Sequence, residues 1–582
     1  MATYYVSKTA TNGYVVGSDS NNGTSKSTPK LTINNAAVTT ASDGDTVIIN
    51  DGTYAESLTL TKAITLLPEN DYMVTITGTG TPSNVITTSD ADGGTFTFGK
   101  IIIDGEALSA TSAAIALGVS TNTLHNVVFN GTKIIGAAQY AIRDLLSVGN
   151  VTATEAQIIK TTGTSAFYGY NTSLVRLSGT TTFTGCTFSI IGNNATLYTV
   201  HALPHSTTGG GGTMTLVMDG NTITHTNNSA TLTFNYVMRV WNVNVFDIHD
   251  NTITANSPNA PGPSSDSTNI IFCQAYTNTP TYEAHTMTGN IYNNTIYHNG
   301  TGGIIITAGG DGYIANEAGV MTDVDIYNNR AYGSTINTDL HGIMQGQQNG
   351  GRIYGNYVEN VPLALMFKGQ NGGVMSGNIV VNSNGIGGQY ASLRIKGSRN
   401  TVVTNNTVIN LASPTYVGTI GDMFQEDETG ARYGNATGIV WSNNIIYNAG
   451  ATAKVVVTKD VSQTATFFNN NYYMPSASSI TYTYGGTSRT SFSDWQSNVE
   501  STATNTNPEI RSDYRVPPTS SLVRSGYTAP TNALDYNGYS FLVPPTVGAI
   551  EYTTIYTNGT KNSSTYSNVS KNSSTFANEP RL

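Results

Sequence analysis

The sequence predicts an all-β chain, a right-handed single-stranded parallel β-helix with an N-terminal cap and a small irregular C-terminal segment. Three observations carry this. The composition is poor in charge and rich in small polar residues, one bend motif ending in Asn recurs along the chain, and apolar columns flank that Asn at strand spacing.

The composition comes first. Of 582 residues, 26 are Lys or Arg and 36 are Asp or Glu, so 11% are charged, against roughly 25% in an average soluble domain. Gly, Asn, Thr and Ser supply the polarity instead, and all four are poor helix formers that suit short strands joined by turns. A net charge of −10 argues against a nucleic-acid partner. No run approaches the roughly 18 apolar residues of a membrane span, so none is expected. Cys186 and Cys273 each lie in an apolar run without a CxxC partner, which predicts buried small hydrophobes rather than a disulfide or metal ligands. The opening Met-Ala-Thr-Tyr-Tyr-Val-Ser-Lys has neither a basic nor an apolar leader region, as expected of a virion component or of a secreted protein after leader removal.

The repeat organises the middle of the chain. Its instances end at Asn221, Asn251, Asn294, Asn329, Asn356, Asn378, Asn406, Asn444 and Asn470, spaced 30, 43, 35, 27, 22, 28, 38 and 26 residues apart. Three residues before each stand Met218, Ile248, Ile291, Ile326, Ile353, Met375, Val403, Trp441 and Phe467. Two residues after stand Ile223, Ile253, Ile296, Ala331, Val358, Val380, Val408, Ile446 and Tyr472. Almost wholly apolar columns at these offsets are what period-2 strands facing one interior require. The shortest spacing is one coil, and longer ones are coils with loop insertions. Coils stacked about 4.8 Å apart make the Asn column a ladder of side-chain amides, at a bend where Asn also tolerates a left-handed backbone.

The ends differ. Gly44-Asp-Thr-Val-Ile-Ile49 and Asp51-Gly-Thr-Tyr54, after a short helix expected around Ile33–Ala41, resemble the opening coil of the pectate-lyase-like β-helix superfamily. Phe492-Ser-Asp-Trp495, Asn507-Pro-Glu-Ile510 and Gly548-Ala-Ile-Glu551 resemble its closing segment. The expected division is 1–67 cap and first coils, 68–475 β-helix, 476–552 closing segment and 553–582 tail. In that tail Lys561-Asn-Ser-Ser-Thr-Tyr566 repeats as Lys571-Asn-Ser-Ser-Thr-Phe576, a low-complexity pair similar to short assembly repeats of phage structural proteins. The resemblance implies the fold; the superfamily holds lyases, hydrolases, adhesins and phage tailspikes.

Outward positions follow from the same columns. Tyr292, Tyr327 and Tyr354 form an expected stack two residues before the Asn, beside Arg352, Asp325 and, three residues after the Asn, Glu359. Ring faces and hydroxyls of this kind suit a sugar, so Tyr292, Tyr327, Tyr354, Arg352 and Glu359 are the candidate carbohydrate site. On another strand Gln345, Lys368, Lys396 and Gln425 are expected in register, with Arg394 on the same face and Glu426, Asp427 and Glu428 in the loop beyond. Uronate lyases of the superfamily use a Lys or Arg base with basic residues or calcium to neutralise the substrate carboxylate. The resemblance therefore implies such roles for Lys368, Lys396 and Arg394, with calcium as cofactor only in that case. Asp247 and Asp325, two coils apart and so near ~9.6 Å, are a candidate hydrolytic pair. No metal-ligand motif and no Ser/His/Asp set stands out; the histidines are scattered.

Two function classes follow. One is a phage tail fibre or tailspike that binds host-surface polysaccharide, located on the virion, with other virion proteins or symmetry mates as partners of the tail and a homotrimer as the state common for that shape. The other is a secreted or virion-borne polysaccharide lyase or glycoside hydrolase. A decoration protein without a glycan ligand is a third.

Overall fold

The computed structural model describes residues 1–551 except 80–83, 90–92, 109–111, 118–124, 137–139, 145–147, 161–164, 171–178, 194–195, 204–213, 230–233, 258–267, 276–285, 301, 311–320, 335–339, 384–390, 412–417, 421–435, 451, 458–463 and 478. Three long sheets run the length of the molecule, and each coil gives one strand to each. Sheet A (16 strands) runs from Thr3–Val6 to Ala465–Phe468, and sheet B (15 strands) from Gly52–Ala55 to Asn471–Tyr473. Sheet C (16 strands) begins at Leu58–Leu60 and ends in the antiparallel strand Thr487–Arg489. Every other strand pair within the sheets is parallel, giving the right-handed parallel β-helix that the sequence predicts.

The two apolar columns point inward as expected. Met218 through Trp441 before the bend, and Ile223 through Tyr472 after it, are at most 1% exposed, and Phe467 is 6% exposed. Cys186 and Cys273 are free and fully buried in the same core. The expected cap is a wide helical turn, Asn34–Thr40, which buries Ala36 and Ala37 against the first coils.

Between sheets A and B the Asn side chains form a continuous ladder. Asn329 shows the unit: its backbone N–H and Nδ2 both donate to Asn356 Oδ1 (each 3.0 Å), while Nδ2 also donates to Ile291 O one coil back (2.8 Å). The same bonds link Asn221, Asn251, Asn294, Asn329, Asn356, Asn378, Asn406, Asn444 and Asn470. These groups are buried, and a buried amide left without a partner costs about 1–3 kcal/mol, so each rung depends on the next. The left-handed backbone, however, belongs to the residue before the ladder Asn. Asp250, Asn293, Asn328, Asn405, Asn443 and Asn469 have φ of +53° to +56°, and Gly220, Gly355 and Gly377 take the same place. The recurring Asn-Asn pair thus divides two tasks, the first residue turning the chain and the second bonding along the axis.

The ladder stops on a carboxylate. Glu500, 1% exposed, accepts from Asn470 N (2.8 Å) and Nδ2 (2.9 Å) through Oε1. Its Oε2 accepts from Tyr472 OH (3.0 Å) and Trp495 Nε1 (3.3 Å). Trp495, in the helix Phe492–Asn498, closes the core from below.

Beyond this cap the chain returns as a strap along the corner of sheets A and B. Asn443 Nδ2 donates to Tyr527 O (2.7 Å), Asn405 Nδ2 to Thr546 O (2.7 Å), and Ser376 Oγ to Leu534 O (3.0 Å). Tyr527 stacks on Phe468 at 4.1 Å. Two small apolar clusters hold the strap, Ile379 and Val381 with Ala549 and Ile550, and Ile445 with Val516, Leu522 and Val547. At Gly377 (φ +62°) a Cβ would lie 2.4 Å from Leu534 O, so this coil needs glycine both to turn and to admit the strap.

Burial pushes the Glu500 carboxyl up to about 7, against the four hydrogen bonds that favour its ionised form. A raised carboxyl stabilises the fold below its ordinary value of 4.5 and loses that contribution as pH rises through about 7. We expect the difference in urea midpoint between the wild type and Glu500→Gln to change over this window and to be flat above it. A difference independent of pH would contradict the protonation of this cap.

Candidate functional site

Two outward faces carry the chemistry, and they differ in sign. On sheet A, in-register strands place His249, Tyr292, Tyr327 and Tyr354 in one column. Their rings stack at 4.7, 4.8 and 4.8 Å with interplanar angles of 12°, 2° and 3°. This corrects the expectation of open ring faces. Neighbours at the strand repeat already cover those faces, leaving edges and hydroxyls outward, and Tyr354 is only 8% exposed. Burial, then the nearby aspartates, pushes the Tyr292 phenol up to about 12, so it stays protonated.

Arg352 lies beside the stack. Its Nε donates to both oxygens of Asp325 at 3.1 Å, its NH2 makes a further bond to Oδ2, and its guanidinium sits 4.9 Å from the Tyr354 ring. Asp247 and Asp325 share a column separated by Asn290, two coils apart as expected. Both Asp325 oxygens are engaged by Arg352, however, which removes the second open carboxylate from the hydrolytic pair. Glu359 is on sheet B, in register with Tyr332, and accepts from Tyr357 OH at 2.8 Å. The structure therefore brings Tyr292, Tyr327, Tyr354, Arg352 and Asp325 together and sets Glu359 around the corner.

On sheet C the expected register needs a one-residue correction. Gln345 pairs with Phe367, and Gly346 pairs with Lys368. Gln345 consequently points inward, fully buried, with Nε2 donating to Val324 O (2.6 Å) and Arg352 O (3.0 Å). Lys368 and Lys396 are in register, and Arg394 pairs with Met366. Arg394 and Lys396 are 3% and 6% exposed, so this is no solvated surface cluster. Gln425, Glu426, Asp427 and Glu428 lie outside the described residues.

The same columns extend upstream into residues that the sequence reading missed. One column runs Arg143, Tyr168, His201, Arg239, Phe272, Thr307, Met344, Met366, Arg394. Arg239 is its centre: NH1 donates to Tyr198 OH at 2.8 Å, and the guanidinium lies 3.3 Å from the Trp241 ring centroid and 5.0 Å from that of Tyr236. The His201 ring stacks on Tyr198 at 4.4 Å, and burial followed by the Arg239 charge pushes its imidazole down to about 3, so it is neutral. His341 is likewise pushed down to about 3, by burial and then by Arg394, Lys368 and Lys396. From Tyr140–Asp144 to Leu393–Lys396, sheet C carries Arg143, Arg239, Lys368, Arg394 and Lys396. The alternation in Tyr236-Val-Met-Arg239-Val-Trp241 was the available signal, obscured because loops of unequal length shift this strand relative to the Asn motif.

No family model matches the chain, and no curated protein matches it. Solved structures do: bacteriophage CBA120 tailspike protein 3 at 11% identity and TM-score 0.39, over 73% of this chain and 56% of the tailspike. The chain thus spans little more than half of that protein's length. Alginate lyase AlyF-OU02, in complex with G6, matches at 12% identity and TM-score 0.35, over 83% of this chain and 91% of the lyase. Pectin methylesterase from Aspergillus niger matches at 14% identity and TM-score 0.27, over 57% and 88%.

The Tyr stack is expected to act first on stability. Tyr327→Ala removes two ring contacts and should cost roughly 1–3 kcal/mol, at about 0.5–1.5 kcal/mol per aromatic pair beyond area burial. Urea denaturation measures it, and an unchanged midpoint would show that the rings contribute nothing to the fold.

Proposed function

We propose that this β-helix binds an extended acidic polysaccharide along its side, across the outward face of sheet C. What supports this reading is the run of Arg143, Arg239, Lys368, Arg394 and Lys396 along one sheet, in a chain of net charge −10. Nine coils separate its ends inclusively, a length of about 38 Å at the strand repeat, which suits a linear anionic chain better than a small molecule. Arginine supplies paired donors to carboxylate or sulfate groups, and the Tyr198, Tyr236 and Trp241 side chains hold Arg239 in place. The setting we favour is attachment of a virion to a host-surface glycan, with the tail Lys561–Phe576 engaging other virion proteins or symmetry mates; secretion as a free protein is the alternative.

Binding to a panel of acidic and neutral polysaccharides tests this. An acidic member should bind, more weakly as salt rises, and Arg239→Ala combined with Lys396→Ala should weaken it at least tenfold with the fold intact by circular dichroism. Equal binding by the double variant would place the ligand elsewhere.

A second reading has its own observation. His341 lies within reach of the Lys368, Arg394 and Lys396 charges, a weak proton acceptor near cations able to neutralise a uronate carboxylate, the parts needed for β-elimination. A rise in ultraviolet absorbance from unsaturated chain ends, lost in His341→Ala, would support it. No rise across polyuronates would leave binding alone.

A further inference from the structure

We infer that Asp219, His249 and Asp250, on the outward face of sheet A, form a binding site for one divalent transition-metal ion. Asp219 and His249 are in register on adjacent coils, and Asp250 follows at the corner. His249 Nδ1 lies 3.3 Å from Asp219 Oδ1 and 2.9 Å from Asp250 Oδ2, and one ligand atom from each of the three falls within 4.8 Å of the others. Ligands about 2.0–2.1 Å from a tetrahedral ion stand about 3.3–3.5 Å apart, so small side-chain adjustments close the site.

Three further features separate this cluster from an ordinary acidic surface. Its nitrogen ligand is held, because the His249 ring stacks on Tyr292 at 4.7 Å. Its charge is uncompensated: Asp219, Asp247 and Asp250 surround one imidazole, and among the described residues no Lys or Arg pairs with any of them. Even a protonated ring leaves two negative charges in excess, which a divalent ion neutralises. On the far side of the ring Asp247 Oδ2 stands 3.8 Å from Nε2, adding a third negative charge beside the imidazole. The corresponding corner residues of neighbouring coils, Gly220, Asn293 and Asn328, bring no carboxylate, so the site is particular to this coil.

One imidazole with two carboxylates favours zinc and similar ions over calcium, which takes six to eight oxygens. Asp219 and Asp250 side chains are 37% and 49% exposed, leaving coordination positions open to water or to a hydroxyl of a bound ligand. The inference is independent of the glycan reading, which concerns sheet C.

Isothermal titration of the full chain with zinc chloride, after chelator treatment, tests it, with manganese and calcium chlorides in parallel. One zinc equivalent should bind, at least tenfold more weakly in His249→Gln and in Asp219→Asn. Asp71→Asn, far along the chain, should not change it. Circular dichroism of each variant separates lost ligands from lost fold. Absence of saturable zinc binding, binding that survives both ligand substitutions, or preference for calcium would each overturn the assignment.

Discussion

The Asn ladder is the constraint on which the rest of the structure depends. A solenoid has to stack coils at one fixed spacing, and the side chains that best report that spacing are those that bond along the axis. Each ladder Asn serves both neighbouring coils, and the buried site gives its amide no water to fall back on. With the corner pinned, the strands leaving it enter sheets A and B in fixed phase. The apolar columns then face inward on every coil, and like residues on the outward face align. The Tyr stack, the Arg352–Asp325 pair and the Asp219–His249 contact are all consequences of that alignment.

Alignment also explains why the chain carries so little charge. A residue type repeated coil after coil meets itself at the strand repeat, where like charges repel and neutral amides, hydroxyls and rings attract. Charge survives where signs alternate, as in Arg352 above Asp325, or where one sign gathers on a face. The two faces divide accordingly: carboxylates around His249 on sheet A, cations from Arg143 to Lys396 on sheet C.

Much of this was legible in the sequence, for a reason that particular residues make plain. The Asn anchors fix the phase of the strands on either side, so Met218 to Phe467, Ile223 to Tyr472 and the outward Tyr column could be assigned by counting from them. Sheet C has no such anchor. Insertions of different length separate it from the Asn corner, and a one-residue slip exchanges inside for outside. Gln345 was misplaced for that reason, His201 stood only among scattered histidines, and Tyr198, Arg239 and Trp241 went unseen. What counting cannot supply at all is ring separation: the Tyr column was correct, but whether its faces were open depended on the distance between neighbours.

The outward column below the stack holds one more consequence. Its members change from Tyr292, Tyr327 and Tyr354 to Ser376, Thr404 and Ser442 where the C-terminal segment lies over them. That segment is anchored at Ser376, Asn405, Asn443 and Asn469, so it is matched to a set number of coils between its ends. It works as a ruler. A gene duplication adding one coil upstream, between Asn221 and Asn329, meets identical rungs above and below and lengthens the rod. The same duplication beneath the ruler would displace every anchor beyond it by one strand spacing. Lineages descended from this chain should therefore vary in length on one side of Tyr354 and hold their coil number on the other.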